Sequence, residues 1–449
     1  MLIGPGETMI GTKTESREAR SKALALGLLV VAFMVAAMLL TARPAHAATF
    51  TVNSTGDQND LDFPGGTFDG SSDGRCFTGD VLVIGDECTL RAAIQAANKL
   101  RGSDTIEFDI PTTGVATIDP DSRLPSITRT VTINGYTQGD ARPNTQAQGT
   151  DAVIKIRLDG FDAGLTLSGA SNSVIRGLAI GGCLADSCNT GIFISGGEGY
   201  KIEGNFIGVA PDGTSSLANK WGVILYDADG STVGGTTPAK RNLISGNVFE
   251  GVLVTSNSSG NTIQGNLIGT DRNGNPLGNN DSGVALIFAG AGNRILSNSI
   301  FSNGDLGIDL SSTNAADGVT ANDDKDLDTG PNHLQNYPVI TSATTFPTFT
   351  SINGTLNSTP STREKTRTFI IQFFSNTSAD SSGFGEGKTF IGQIQVTTNR
   401  QGNATFGFAP TQEVPVGEFI TATATRKDKG DTSEFSQAND VEEPVIGGG

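Results

Sequence analysis

The chain has 449 residues, with 30 Lys and Arg against 47 Asp and Glu, a formal net charge of −17 and 59 Gly, while only 17% of its residues are charged. So acidic a surface disfavours nucleic acid and anionic membrane as partners and is compatible with calcium, and the Gly content points to strands and turns. His46 and His333 are the only histidines, so a His-based metal cluster is excluded.

Residues 1–22 are polar and carry Lys13, Arg17, Arg20 and Lys22; an apolar run at 23–40 and then Ala45-His46-Ala47 follow. Basic flank, apolar core and small-x-small site predict a signal peptide over 1–47, which places the mature protein in the medium or at the cell surface, with no membrane insertion after cleavage. The apolar run is also nearly long enough for an uncleaved N-terminal membrane anchor. Export permits disulfides, and the four Cys form two local pairs, Cys76 with Cys88 and Cys183 with Cys188; four Cys allow three pairings. Their spacings do not suit a four-thiolate zinc site.

Residues 48–103 read as an N-terminal cap. The strand-forming Thr49-Phe-Thr-Val precedes a Gly/Asp-rich loop and then Cys88-Thr-Leu-Arg-Ala-Ala-Ile-Gln-Ala-Ala-Asn98, in which Thr89 caps a short helix and Leu90, Ala93, Ile94 and Ala97 share one face. Such a helix suits the exposed first coil of a stacked fold, which otherwise offers a bare core and an open sheet edge.

Residues 104–321 carry the repeat that defines the fold. After strands at 105–110, 131–134 and 154–158, a unit seen most clearly at Gly251-Val-Leu-Val followed by Ile263-Gln-Gly-Asn-Leu-Ile-Gly recurs, with anchors at Gly191, Gly222, Gly251, Gly283 and Gly307. Two short strands per repeat, too broken by Gly and Asn for a helical stripe, predict a parallel β-helix whose turns accept insertions. Asn205, Asn247, Asn266 and Asn298 return in the second strand, which predicts an Asn ladder at a coil corner, where Asn tolerates a left-handed backbone and bonds the Asn above and below. Phe161, Phe193, Phe206 and Phe301 read as internal stacking. Trp221 and Tyr226 read either as a sugar-stacking platform or as core and corner filler.

Thr51-Val-Asn-Ser-Thr-Gly-Asp57 with Cys88-Thr-Leu-Arg-Ala-Ala resembles the CSLREA domain, with Thr89 in place of Ser and Ala92 in place of Glu. The resemblance implies an exported bacterial protein with a right-handed parallel β-helix and implies almost nothing about activity.

Residues 322–338 form an acidic connector. Asp323, Asp324, Asp326 and Asp328 gather hard oxygen donors as calcium loops do, without the EF-hand spacing; the other reading is a solvated connector. Residues 339–437 change grammar, with candidate strands at 348–356, 368–375, 389–397, 403–409, 419–425 and 434–436, and predict an Ig-like β-sandwich. Residues 438–449 read as a tail.

The fold class is therefore all-β: a right-handed parallel β-helix solenoid with an N-terminal strand/helix cap and a C-terminal Ig-like sandwich. Catalytic chemistry finds little support. Strand carboxylates are few, chiefly Glu203, Asp227 and Asp309, and Arg176, Lys201 and Arg294 fall in different coils without an acidic partner cluster. The sequence favours an adhesion or surface-binding protein, with an extracellular polysaccharide or cell-surface component as partner. The alternatives are a polysaccharide lyase or glycoside hydrolase, and a structural surface-layer component.

Overall fold

The computed structural model describes residues 47–444 apart from 61–75, 77–86, 161–163, 185–188 and 314–316. Of the expected signal peptide only Ala47 falls within that range, and Phe161 and Cys188 lie outside it. No helix among the described residues is long and apolar enough to cross a membrane.

Three parallel sheets, built from strands of two to six residues, make a parallel β-helix. The first has eight strands from Thr49–Val52 to Arg294–Leu296, the second seven from Ala116–Ile118 to Ser299–Ile300, and the third six from Leu165–Ser168 to Ile308–Ser311. Each full coil gives one strand to each sheet, and the register stacks like on like. Ile175, Ile202, Val233, Ile263 and Ile295 are in line in the first sheet, and Ile180, Ile207, Ile244, Ile268 and Ile300 in the second. Ile194, Leu225, Val254, Leu286 and Leu310 do the same in the third, and all fifteen are buried. Stiff β-branched side chains stacked at about 4.8 Å fill the core without any long strand.

The expected Asn ladder is present as three ladders, one at each corner of the coil. Asn205, Asn242, Asn266 and Asn298 bond amide to amide between the first and second sheets. Asn247 is not among them; it belongs with Asn219, Asn279 and Asn303 between the second and third. Asn261 and Asn293 hold the remaining corner. Nor do these Asn supply the left-handed backbone. At the first corner that falls to the residue before, Gly204 (φ +68°), Gly265 (φ +69°) and Ser297 (φ +51°), so turn and hydrogen bonding are divided between neighbours.

At the front, helix α1 (Leu90–Lys99) starts at Thr89, whose hydroxyl accepts from the Ala92 N–H at 3.1 Å. Its apolar face covers the first coil as expected, and its polar face is covered too. Arg91 forks onto Asp57 at 2.9 and 2.8 Å, Gln95 donates to Asn59 and Lys99 pairs with Asp60. Cys76 and Cys88 form a disulfide. Cys183 is also disulfide-bonded.

At the back, the strands Val339–Phe346, Phe349–Asn357 and Asn403–Phe408 form one layer of a sandwich and Thr368–Asn376, Thr389–Thr397 and Phe419–Arg426 the other. The last strand is Asn439–Glu442, which pairs with both layers and closes one edge. Two sequence expectations are corrected here: residues 439–442 are sandwich and not tail, and 434–436 form no strand.

Residues 434–436 instead help to seal the solenoid. Its last coil ends in a row of backbone N–H groups, which a sheet edge leaves unpaired unless something accepts them. Asp431 accepts from Gly292, Thr432 from Ile295, Gln372 from Ser297 and Glu434 from Leu310, at 2.7 to 3.0 Å. Glu386 accepts from the Ser302 and Asn303 N–H groups and from the Asn303 amide, ending the second ladder. Phe374 and Phe435, each 3% exposed, join the solenoid core across the junction. The sandwich is thus the C-terminal cap of the helix.

Candidate functional site

The solvent face of the third sheet gathers the chain's sole Trp, several aromatics and a column of carboxylates. Along Trp221–Tyr226, Val223 and Leu225 point into the core while Tyr226 is 46% exposed. Trp221 stacks on Phe249 in the next coil, with ring centres 4.7 Å apart and planes 29° off parallel. Tyr226 meets Phe193 of the preceding coil at 6.2 Å. Phe193 therefore belongs to the outer face, contrary to the internal position expected of it, because register sets it beside Ile224 and not beside Val223. Five residue steps, about 16 Å, separate Trp221 from Tyr226 along the strand, so the two expected platform residues anchor opposite ends of the face, each with its own aromatic partner.

Carboxylates collect beside Trp221. Glu250 is 6% exposed and its Oε2 has no hydrogen-bond partner. Burial, followed by the charge of Asp281, pushes its pKa up, and the Trp221 side chain opposes this. Asp309 is fully buried with Oδ1 unpartnered, and burial, then Asp317, Asp305 and Asp281, push it up to about 7. Among the described residues no Lys or Arg offsets either shift. Asp281 thus lies between two buried carboxyls, one in the preceding coil and one in the following.

Of the strand carboxylates read from the sequence, only Asp309 is here. Glu203 is in the first sheet, 3.3 Å from Lys240, and Asp227 sits at a turn with φ +51°. Glu250, Asp281 and Asp305 were missed because they precede the strands. A sequence signal was available all the same, since each stands one or two residues before a Gly anchor, at Gly251, Gly283 or Gly307.

Of the four Asp in the connector, Asp323, Asp326 and Asp328 bring carboxylate oxygens within 4.8 Å of one another. Asp324 turns away to Lys325 at 2.5 Å. Asp326 accepts from the Asn336 N–H and the Ser358 hydroxyl, and burial, then Asp328 and Asp323, push it up to about 6. Oδ1 of Asp328 is buried without a partner. Hard oxygen donors only, one of them unmatched, fit a calcium-like cation.

A cleft of about 890 Å³ also lies between turns at 147–149, 235–238 and 273–275 of the solenoid and residues 388–390 of the sandwich. Arg241, in its wall, is committed to the carbonyls of Gln146, Ala147, Gly149 and Gly265.

No family model matches the chain, and no curated protein matches it. Among solved structures, the full-length tailspike protein 2 of Escherichia coli O157:H7 bacteriophage CAB120 aligns over 86% of this chain and 68% of the tailspike, at 10% identity and a TM-score of 0.21. A likeness that low bears on neither fold nor function.

Proposed function

We propose that this is an exported adhesion protein that binds a neutral extracellular polysaccharide across the outer face of its third sheet. The observation that carries this is the stacked Trp221–Phe249 pair on the outside of a rigid sheet. Flat aromatic faces pack against the C–H faces of sugar rings, and the aromatics at both ends of the strand give a chain-like ligand two footholds. Asp281 and Asp305 accept hydroxyl hydrogen bonds and repel an anionic polymer, which selects neutral glycans. The disulfide Cys76–Cys88 and the CSLREA-like cap support export.

Co-sedimentation of the protein with insoluble starch, cellulose, xylan, mannan and chitin tests the reading, and retention on at least one is expected. Trp221→Ala removes the larger ring of the pair and is expected to weaken that binding by about 2 kcal/mol, roughly 30-fold. Equal retention of wild type and variant contradicts the assignment of the face.

We further propose that Asp323, Asp326 and Asp328 hold calcium, which steadies the segment between solenoid and sandwich. Calcium at a hundredfold excess over its dissociation constant is expected to raise the melting temperature by about 3 °C. Asp326→Asn is expected to abolish that rise, and a calcium response that survives the substitution places the ion elsewhere.

A further inference from the structure

Glu250 and Asp309 present buried carboxyl oxygens that nothing in the described structure satisfies, and the charge of Asp281 acts on both. Buried polar atoms without partners are rare because each forfeits its water for nothing in return. The Asp323 group brings three carboxylates close enough to share an ion; no such trio is found on this face among the described residues. These carboxylates therefore do not repeat the close trio of the connector.

A substrate between them is the other way to use such a pair. Glu250 and Asp281 lie in successive coils, about 4.8 Å apart along the stack and offset by one position along the coil relative to their Gly anchors. Side chains from such positions reach the separations of about 6.5 to 9.5 Å at which a general acid and a general base flank a glycosidic bond with room for a water. The two environments also differ as the two roles require. Glu250 is buried against Trp221 and Asp281 is only half-buried.

Resting on the glycan-binding reading, we infer that the third-sheet face also hydrolyses its neutral polysaccharide, with Glu250 as general acid and Asp281 as general base. Glu250 gives its proton to the glycosidic oxygen as that oxygen leaves the anomeric carbon. A water forms the new bond to that carbon and gives a proton to the Asp281 carboxylate. Proton exchange with solvent returns Glu250 to the acid form and Asp281 to the base form, so the net reaction consumes one water for each bond cut. Trp221 and Phe249 hold the sugar ring that adjoins the reacting bond. Asp309, fully buried, touches no substrate.

The test uses the whole protein on the same five polysaccharides and reads two quantities in each tube, new reducing ends and protein retained on the solid. Reducing ends are expected on a polysaccharide that retains the protein. Glu250→Gln and Asp281→Asn are each expected to lower their rate at least about 100-fold with the melting transition preserved, while Glu364→Gln, exposed on the sandwich, leaves it unchanged. Retention without reducing ends overturns the hydrolase and leaves the binding reading standing. Cleavage that survives both substitutions overturns the residue assignment, and absence of both signals overturns the two readings together.

Discussion

Asn266→Ala is expected to cost roughly 3 to 5 kcal/mol of folding stability, a large part of what a protein has to lose. Asn266 is 1% exposed, and its amide meets four groups. Its Nδ2 donates to the Val233 carbonyl and to Asn298 Oδ1, while its Oδ1 accepts from the Asn242 N–H and the Asn242 amide. Alanine strands several of these at once in a buried corner. Asn280→Ala changes an exposed Asn in the same region and is expected to stay within about 0.5 kcal/mol. Denaturant unfolding of the two variants beside the wild type measures both, and equal midpoints contradict a structural role for the ladder.

Thermal stability is expected to fall as the pH rises from 5 to 8. Three carboxyls of the C-terminal junction sit far above their ordinary values, each chiefly through burial. Asp309 and Glu386 are pushed up to about 7 and Glu434 to about 8. In the unfolded chain the same groups titrate near 4. Between roughly pH 4 and pH 8 the folded protein therefore keeps protons that the unfolded chain has released, and this favours the folded state. The contribution is fully present below the unfolded pKa and is lost as the pH climbs through the folded values. Asp212, held down to about 2 by hydrogen bonds from Ser215 and Thr214 against the effect of burial, acts below this window and does not offset it. Glu434→Gln is expected to flatten the profile, because it removes one of the three raised carboxyls. Melting scans at half-unit intervals check this, and a flat wild-type profile contradicts the buried junction.

What the sequence made legible follows from what periodicity records. Apolar runs bounded by Gly, such as Val252 to Val254 after Gly251, place strands and their spacing, and the coil stack follows from their recurrence. Five of the sandwich strands were found in the same way. Register is not recorded there. Phe193 and Trp221 each sit in apolar strings, and which face they take depends on the pairing of one coil with the next. Asn242 was overlooked because the insertion at 235–241 separates it from its strand, although in space it continues the ladder of Asn205.

The capping role of the sandwich was still less visible. Gln372, Glu386, Asp431, Thr432 and Glu434 leave no hydrophobic pattern, and the donors they meet lie 75 to 139 positions away. A polar side chain that accepts from a distant backbone N–H looks, in sequence, like any other surface residue. Glu250 was hidden for the same reason, since its burial comes from neighbouring coils and not from its own strand.

Trp221 is the only tryptophan in the chain, so its fluorescence reports on the proposed site alone. The most direct test of the central claim is titration of the protein with soluble oligosaccharides of whichever polysaccharide retains it, following that emission. The account predicts a saturable change with the same dissociation constant as binding itself, lost in Phe249→Ala as affinity falls. Binding that leaves the emission unchanged contradicts it and places the glycan elsewhere on the protein.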